Sequence, residues 1–421
     1  MKISRTRVRG RGFAAIGAAV SLAIYMVVIA LPASAAVTCT SAAAVMTVNM
    51  SAAESVTLLV SGANIVFNTG SGAQACTPAA TTAAISSIVV NADTLVETEA
   101  QSLTIDLSGG AFTADFDVDL GAGTDSVTVV GSVGADTLRV TDGTGTDTNI
   151  ELDAVPTDNG VLTGVENVTV NGGDGGDTID GTGYSGNLTI NGGNGSDTIT
   201  GGNGDDTIVT GDGGGTVNGG NGADDITGGT GVDTIDGQDG DDTVHAGAGN
   251  DDLTGGTDRD ALWGEGGEDA IDAGDGNDTV APGEGDDGTS VTPIKGGSGK
   301  DTVSFADATE AVDVDLTDGI ATTGADDDVL EGFENVSGSA FADTIRMTGG
   351  NNSVSAGKGG DAVRAAGGDD IVNGNGGKDT LRGGDGDDDL YGQGGADALF
   401  GGGGTDFCSG GGGKNTYKGC E

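Results

Sequence analysis

The chain has 421 residues, of which 85 are glycine, and only 3% are aromatic. Its 66 acidic and 16 basic residues give a formal net charge of −50 at pH 7, which opposes binding to nucleic acid and to anionic lipid surfaces. This composition is too poor in aromatic residues for a large conventional core, and it fits either a disordered acidic chain or a chain that folds when cations neutralise it.

Residues 1–35 have the layout of an export segment. Lys2 and four arginines precede a mostly apolar run from Phe13 to Leu31, and Ala33-Ser34-Ala35 supplies small residues at the cleavage positions. This layout predicts a secretory signal peptide that is removed after Ala35. The apolar run is also long enough for an uncleaved membrane anchor, so that alternative stays open. We therefore expect a secreted, extracellular protein, either released or held at the cell surface.

Residues 36–115 alternate short apolar runs with Gly, Ser and Asn, as in SVTLLVSG and SIVVNAD. Such runs predict strands joined by turns. Because a solenoid needs an atypical end that covers its terminal coil, we interpret this region as an N-terminal β cap. An independent binding domain is the alternative.

The centre of the chain repeats every nine residues. Residues 192–281 divide into ten frames without insertion, of which the first two read GGNGSDTIT and GGNGDDTIV. The sixth position is Asp in nine of the ten frames, the fourth is Gly in nine, and the eighth is Ile, Val or Leu in all ten. Six further frames occupy 356–409, and single copies occur at 172–180 and 296–304. Composition alone would not hold three positions in phase over so many frames.

Each frame fits half a coil of a flattened solenoid. Its glycines permit the positive φ angles of a tight turn, and its last three residues suit a short strand whose eighth residue points inward. Two frames then complete one coil, and the aliphatic eighth residues stack into a narrow ladder. Because one thin coil buries too little apolar surface, the order must propagate along the stack.

The sixth-position aspartates are the candidate metal ligands. Stacked coils lie roughly 4.8 Å apart, so the carboxylates would form a repulsive row along each edge. Calcium would relieve the repulsion, because it takes roughly 6–8 oxygen ligands in flexible geometry and exposed turn carbonyls can supply the remainder. Magnesium fits less well, and soft metals are disfavoured because the chain has one histidine. The candidates are Asp177, Asp197, Asp206, Asp224, Asp233, Asp242, Asp251, Asp260, Asp269, Asp278, Asp301, Asp361, Asp370, Asp379, Asp388, Asp397 and Asp406.

Four positions depart from the pattern. Gly215, Asn352 and Asn415 replace the sixth-position Asp, and Arg259 stands at a fifth position. Metal sites at these frames are expected to be weak or empty.

The frames GGNGDDTIV and GGDGDDDLY follow the pattern G-G-x-G-x-D-x-U-x, in which U is a large aliphatic residue. This pattern resembles the RTX or hemolysin-type calcium-binding repeat. The resemblance implies an all-β fold, a parallel β-roll, in which calcium lies between coils on one edge and the sixth-position aspartates are ligands. Many RTX proteins carry a C-terminal export signal. This chain has an N-terminal one and looks similar to secreted calcium-binding repeat proteins of high-GC Gram-positive bacteria.

The repeats define the expected organisation of the chain after the cap. Worn repeats begin a β-roll over 116–304, and a second block with a C-terminal disulfide cap occupies 346–421. The related pentapeptides GVENV and GFENV precede the two clear blocks. We therefore interpret 305–345 as a spacer with a longer coil and not as a separate domain.

Four cysteines follow the export segment, and in an oxidising compartment they predict disulfides. Three pairings are open. We expect the two local ones, Cys39–Cys76 near the mature start and Cys408–Cys420 at the other end.

No catalytic constellation is recognisable in the sequence. A single histidine excludes H-E-x-x-H, and neither G-x-S-x-G nor G-x-x-x-x-G-K-[ST] occurs. His245 and Trp263 fall at ninth positions and are expected to face outward without a special role. We therefore expect a non-enzymatic extracellular protein that binds calcium ions, with neither nucleic acid nor, after signal cleavage, a membrane as partner.

Two alternatives stay open. A surface adhesin or matrix component would use the roll as a spacer and bind cells or polysaccharide through 36–115. A polysaccharide-modifying enzyme would carry unrecognised acidic catalytic groups on the solenoid.

Overall fold

The computed structural model describes residues 167–421 except 286, 288–291 and 325, and before residue 167 it describes Gly131 and the strands given below. The predicted export segment, 1–35, lies outside the described residues. Every regular element in the described part is a β-strand, so the predicted all-β class is confirmed. None of the described residues forms a helix with the length and apolar character that a membrane span requires.

Twelve strands precede residue 167. They are β1 (Ala36–Thr40), β2 (Val45–Met50), β3 (Ser55–Ser61), β4 (Asn64–Thr69), β5 (Gly72–Ala75), β6 (Ser87–Ala92), β7 (Ser102–Asp106), β8 (Asp115–Asp119), β9 (Ser126–Val130), β10 (Thr137–Asp142), β11 (Thr148–Leu152) and β12 (Val161–Thr163).

The strands of the first repeat block and of the segment after it begin at residue 167. They are β13 (Asn167–Asp174), β14 (Thr178–Asp180), β15 (Leu188–Asn194), β16 (Thr198–Gly202), β17 (Thr207–Asp212), β18 (Thr216–Asn221), β19 (Asp225–Gly229), β20 (Thr234–Asp239), β21 (Thr243–Gly247), β22 (Asp252–Thr257), β23 (Ala261–Trp263), β24 (Ala270–Gly276), β25 (Thr279–Ala281), β26 (Ile294–Lys295), β27 (Ser298–Gly299), β28 (Thr302–Ser304), β29 (Val312–Asp315), β30 (Ile320–Thr323), β31 (Asp326–Glu331) and β32 (Asn335–Ser337).

The second block follows. Its strands are β33 (Thr344–Arg346), β34 (Ser353–Ser355), β35 (Lys358–Gly359), β36 (Ala362–Gly367), β37 (Ile371–Asn373), β38 (Gly376–Gly377), β39 (Thr380–Asp385), β40 (Asp389–Tyr391), β41 (Ala398–Gly403), β42 (Phe407–Ser409) and β43 (Thr416–Lys418).

The repeat strands form two parallel sheets. In sheet one, β14, β16, β18, β20, β22 and β24 pair in that order, and in sheet two β13, β15, β17, β19, β21, β23 and β25 do the same. The first partners in each sheet, such as Thr178 and Thr198, are 20 residues apart. The later ones are 18 apart, as in Thr198 with Thr216 and Thr216 with Thr234. Two nine-residue frames therefore make one coil, and the predicted parallel β-roll is confirmed.

The core lies between the two sheets and consists mainly of the eighth-position side chains. In sheet one Ile199, Val217, Ile235 and Leu253 are direct neighbours in register, and each is at most 1% exposed. Burial of one such side chain contributes about 1.5–3 kcal/mol, so the ladder stabilises the roll only through its length.

The strands before the repeats extend both sheets. Parallel pairing connects β3, β7, β9 and β13 into sheet two, whereas β10 pairs in parallel with β14 of sheet one. Antiparallel pairs occur at β1–β2, β3–β4–β5 and β10–β11–β12. The region between residues 36 and 163 thus shares the hydrogen-bonded sheets of the roll.

The coil between β25 and β28 is lengthened to 23 residues, and the largest departure from the regular coil lies between β28 and β33. In sheet two, Thr302 of β28 pairs directly with Asn335 of β32, 33 residues later. In sheet one, the extra residues form antiparallel β29, β30 and β31, with β31 parallel to β26 and β29 parallel to β33. We call these three strands the seam. Both sheets continue through it, so hydrogen bonds link the two blocks.

The turns require left-handed backbone at the second and fourth positions. Gly193 and Gly195 have φ angles of 107° and 140°. At the second position some frames carry a residue with a side chain instead, such as Ala366 with φ 82°. A left-handed residue other than glycine costs about 1–2 kcal/mol, so these frames store local strain.

Two neighbouring substitutions test this strain. We expect Ala366→Gly to raise the free energy of unfolding by about 1 kcal/mol in excess calcium, because it removes the left-handed penalty of an exposed residue. Ala365→Gly should lower it by about 1 kcal/mol, because Ala365 is fully buried and its φ is negative. Urea unfolding of both variants measures the pair, and equal signs would contradict the interpretation.

Candidate metal sites

Every aspartate proposed from the sequence as a metal ligand lies where a turn enters a strand, and its side chain is buried. The exposure is at most 2% for Asp177, Asp197, Asp206, Asp224, Asp233, Asp242, Asp251, Asp260, Asp269, Asp278, Asp301, Asp361, Asp370, Asp379, Asp388, Asp397 and Asp406. Such deep burial of so many carboxylates is unusual, because acidic side chains are rarely buried without a partner.

One carboxylate oxygen has a defined structural role. Asp242 Oδ1 accepts a hydrogen bond from the backbone N–H of Asp224 at 2.8 Å, and Asp260 Oδ1 accepts one from Asp242 at 2.9 Å. On the other edge, Asp251 Oδ1 accepts from Asp233 and Asp269 Oδ1 from Asp251, both at 2.8 Å. Each edge therefore carries a ladder in which an aspartate ties its own coil to the preceding one.

The other oxygen, Oδ2, has no hydrogen-bond donor within the described structure. This holds for Asp197, Asp206, Asp224, Asp233, Asp242, Asp251, Asp260, Asp269, Asp278, Asp287, Asp301, Asp361, Asp370, Asp379, Asp388, Asp397 and Asp406. A buried charged oxygen that lacks a partner is strongly unfavourable. A cation at this position would supply the missing partner in every frame.

Backbone oxygens converge on the same place. A Cβ added at Gly255 would lie 2.6 Å from Asp260 Oδ2 and would also meet the carbonyl oxygen of Ala273 in the next coil. Gly237 repeats the arrangement with Asp242 Oδ2 and Gly255 O. The described residues hold no cluster of three or more His, Cys, Asp or Glu side chains, so a cation here needs carbonyl ligands as well.

Burial governs the electrostatics of the ladders. Desolvation, with a smaller contribution from the nearby carboxylates of Asp206 and Asp242, raises the pKa of Asp224 to about 8 against a hydrogen bond from Asp206 that lowers it. Desolvation likewise raises the pKa of Asp260 and of Asp269 to about 7. Without a cation, the ionised form of these carboxylates is thus disfavoured near neutral pH.

The ladders include aspartates that the sequence analysis missed. Asp287 is fully buried and accepts from Asp269 N–H at 2.7 Å. Its frame lacks an aliphatic residue at the eighth position, so the repeat pattern did not identify Asp287 as a ladder residue. Asp343 is 2% exposed and accepts from Val312 N–H at 2.9 Å. Its frame, GSAFADTIR, lacks the usual glycines, and only the Asp-Thr-Ile ending was a usable signal.

The seam and the turn that follows it supply substitute acceptors. Asp287 donates its N–H to Asp328 Oδ1 at 3.1 Å, and Asp301 donates to Glu334 Oε2 at 2.9 Å. Neither acceptor follows the nonapeptide spacing. The hydrogen-bonded ladders therefore cross the seam although the sequence repeat does not.

The departures from the repeat have local explanations. Thr210 replaces the first-position glycine in the frame that has Gly215 in sixth place, and a Cβ at Gly215 would lie 3.3 Å from Thr210 Cγ2. Thr210 is 2% exposed, so its side chain fills space next to the missing carboxylate. Asn415 Oδ1 keeps the ladder bond by accepting from Asp397 N–H at 2.8 Å. Arg259 pairs with Asp241 at 2.8 Å.

His245 and Trp263 lie side by side on the outside of sheet two. Their rings stack with centroids 4.4 Å apart, and His245 Nδ1 is 2.9 Å from Glu265 Oε1. They border a cavity of about 790 Å³ that also includes Glu310 of the seam region. The outward position was predicted, but the stacking and the cavity were not, because both depend on register and on the seam.

The end of the chain is closed by a short loop. The sulfur atoms of Cys408 and Cys420 are 2.00 Å apart, and Cys408 occupies the eighth position of sheet two below Leu390. The other expected pair, Cys39–Cys76, lies outside the residues whose side chains are described.

The raised pKa values predict how the metal-free roll responds to pH. A carboxylate with a raised pKa in the folded state stabilises that state fully below its unfolded pKa of about 3.9, and this contribution is lost as pH rises through about 6–8. In chelator and 1 M NaCl, which screens exposed charges, we expect circular dichroism to show a smaller folded fraction at pH 8 than at pH 5. Excess calcium should reverse the order. A metal-free folded fraction that rises with pH would contradict the burial of ionisable carboxylates.

A double-mutant cycle tests the exchange at Thr210 and Gly215. Gly215→Asp alone should destabilise the calcium-loaded roll by about 1–3 kcal/mol, because its Cβ would lie 2.9 Å from the carbonyl oxygen of Asp197 and 3.3 Å from Thr210 Cγ2. Adding Thr210→Gly should recover more than about 1 kcal/mol of this loss and restore a regular frame. Urea unfolding of the two single variants and the double variant measures the coupling. Additive effects would show that the two positions do not compensate each other.

The chain was compared with known proteins. A family model of the RTX calcium-binding nonapeptide repeat, which spans four copies, matches residues 182–217, 218–253, 254–288, 328–363, 348–381 and 382–417. This match confirms the resemblance predicted from the frames. No curated protein matches the chain.

Proposed function

Because this chain carries RTX calcium-binding nonapeptide repeats across residues 182–417, we propose that it is a secreted protein whose β-roll becomes ordered when it binds extracellular calcium. The observation that carries this proposal is the row of buried Oδ2 atoms without a hydrogen-bond donor in the described structure, several of which, such as those of Asp242 and Asp260, lie close to carbonyl oxygens of the next coil.

The residues fit calcium. The sixth-position aspartates would hold the ion with Oδ2, and first-position carbonyls of the adjacent coil, such as Ala273 O beside Asp260, would contribute as well. All these donors are oxygen atoms in a flexible turn, which suits calcium better than magnesium. When bound, the ion supplies the positive charge that the buried carboxylates lack.

Bound calcium would also relieve the repulsion between carboxylates within the ladders. Without it, successive aspartates on one edge oppose each other's ionisation, as at Asp224 between Asp206 and Asp242. A ligand that binds only the folded form stabilises that form by mass action. We therefore propose an unfolded chain at low calcium and a folded roll where calcium reaches about 10⁻⁴–10⁻³ M, as extracellular modules require.

Export before folding fits this scheme. Residues 1–35 have the signal layout described above, and calcium is scarce inside cells. We propose the organisation expected from the sequence: a cap at 36–115, a roll at 116–304, a spacer at 305–345 and a second block at 346–421. The protein so described is a binding and structural protein and not an enzyme.

Circular dichroism of residues 36–421 tests the proposal. After chelator treatment, calcium should convert a coil spectrum to a β spectrum with a midpoint near the millimolar range, and magnesium should have little effect. A spectrum that is β-rich in chelator and indifferent to calcium would overturn calcium-driven folding.

A matched pair of variants sharpens this test. Asp224→Asn keeps an oxygen that can accept the hydrogen bond from Asp206 N–H but removes the buried charge. It should raise the calcium midpoint and lower calcium-dependent stability by about 1–3 kcal/mol. Asp225→Asn, the exposed neighbour, changes the net charge equally and should leave the midpoint unchanged. Equal effects would indicate that net charge, and not the ladder carboxylate, controls folding.

A further inference from the structure

The basic residues of the second block lie on one side of the roll. Of the eleven Lys and Arg residues after residue 35, seven fall between 346 and 418. They are Arg346, Lys358, Arg364, Lys378, Arg382, Lys414 and Lys418. All seven belong to the half coils that end in β33, β36, β39 and β43, whereas the half coils that end in β34, β37, β40 and β42 contain none.

The register brings these residues together. On consecutive strands, Arg346 lies beside Arg364 and Arg364 beside Arg382, and Phe400 and Lys418 continue the row. Neighbouring strands are about 4.8 Å apart, so the row is a continuous ridge. We call the outer side of β33, β36, β39, β41 and β43 the basic face.

Among the strands of the basic face, the only acidic residue is Asp385 at the exposed end of β39. Beside the ridge, the seventh positions are small and uncharged: Thr344, Ala362, Thr380, Ala398 and Thr416. Lys358 of β35 is exposed, as are Lys378 and Lys414 in the turns that precede β39 and β43. A low floor of small residues therefore lies between basic side chains from the turns and from the ridge.

Like charges on adjacent strands repel, and the structure compensates only two of the arginines. Arg346 contacts Asp313 at 2.9 Å and Asp315 at 3.4 Å. Arg382 lies 4.3 Å above the ring of Phe400. Arg364, between them, is exposed and has no ion pair among the described residues. The row thus leaves positive charge available for an external anion.

We propose that the basic face binds a linear anionic polysaccharide laid along the roll axis. The arginines and the lysine of the ridge follow one another at the strand spacing, so they can pair with negative charges that recur along a polysaccharide. The planar guanidinium group of arginine suits the oxygens of sulfate or carboxylate groups. The floor is one short strand wide and Asp385 lies at its edge, so it fits a thin polymer better than a broad membrane or duplex.

Binding through the basic face would orient the molecule relative to the polymer. The chain as a whole carries a net charge of −50 and repels polyanions, so the second block alone would engage the polymer. The first block would project away from it. The inference goes beyond calcium binding, although the roll must be folded for the ridge to exist.

The test uses dextran sulfate as the probe and neutral dextran as its control, with the mature chain at saturating calcium. Affinity for dextran sulfate should fall as salt increases, and neutral dextran should not bind. A triple variant, Arg364→Gln, Arg382→Gln and Lys418→Gln, should bind about tenfold more weakly. Its matched control, Thr189→Glu, Thr227→Glu and Thr254→Glu, changes the net charge equally but lies in the first block and should bind like the parent.

Circular dichroism in the same samples confirms that each variant is folded, which separates this test from that of calcium-driven folding. Absence of binding by the folded parent would overturn the proposal, and so would equal losses in the two triple variants or equal binding to neutral dextran. Sedimentation without polymer tests whether the basic face binds a second copy of the chain instead. A dimer that is lost in the variant with Arg364→Gln, Arg382→Gln and Lys418→Gln would overturn the polysaccharide proposal in favour of such a dimer.

Discussion

The structure depends on the two oxygens of the sixth-position carboxylate. Oδ1 accepts a backbone hydrogen bond from the preceding coil, as from Asp224 to Asp242, and so sets the stacking of the turns. Oδ2 is buried without a donor in the described residues and faces carbonyl oxygens. The same side chain therefore joins the coils and creates a charge that the protein alone does not neutralise. The thin aliphatic core cannot offset many such charges, and for this reason we propose that a cation is part of the folded state.

The ladders accommodate exchange of the sixth-position residue at three places and loss of its acceptor oxygen at one. Asn415, Asp328 and Glu334 each place a side-chain oxygen where an aspartate of the repeat would stand. Gly215 lacks one, and there Thr210 fills the space instead. The ladder hydrogen bond therefore does not require the aspartate of the repeat motif, because any side-chain oxygen at that position can accept it. Calcium binding, by contrast, favours a carboxylate.

The seam shows how the roll accommodates a break in its period. Sheet two passes from β28 to β32 without interruption, while sheet one takes up three antiparallel strands. Backbone pairing is preserved in both sheets, so no edge is exposed to another chain at this point. The cavity beside Trp263 and the compensation of Arg346 by Asp313 both arise here, since each requires residues of the seam region.

The sequence by itself determined the coil. The nine-residue period, the glycines of the turn, the aliphatic eighth position and the aspartate at the sixth are local requirements of one half coil, so they are visible as a repeat. They predicted the β-roll and the seventeen aspartates in rows along its edges, whereas the burial of these aspartates became visible only in the structure.

Only the tertiary structure decided what lies between coils. Three features depend on the register between strands that are 18 or more residues apart in sequence. They are the hydrogen bonds that place Asp287 and Asp343 in the ladders, the contact between Thr210 and Gly215, and the ridge of Arg346, Arg364 and Arg382. The sequence period shows which residue types recur along the chain. The stacking of the coils determines which of these residues are in contact.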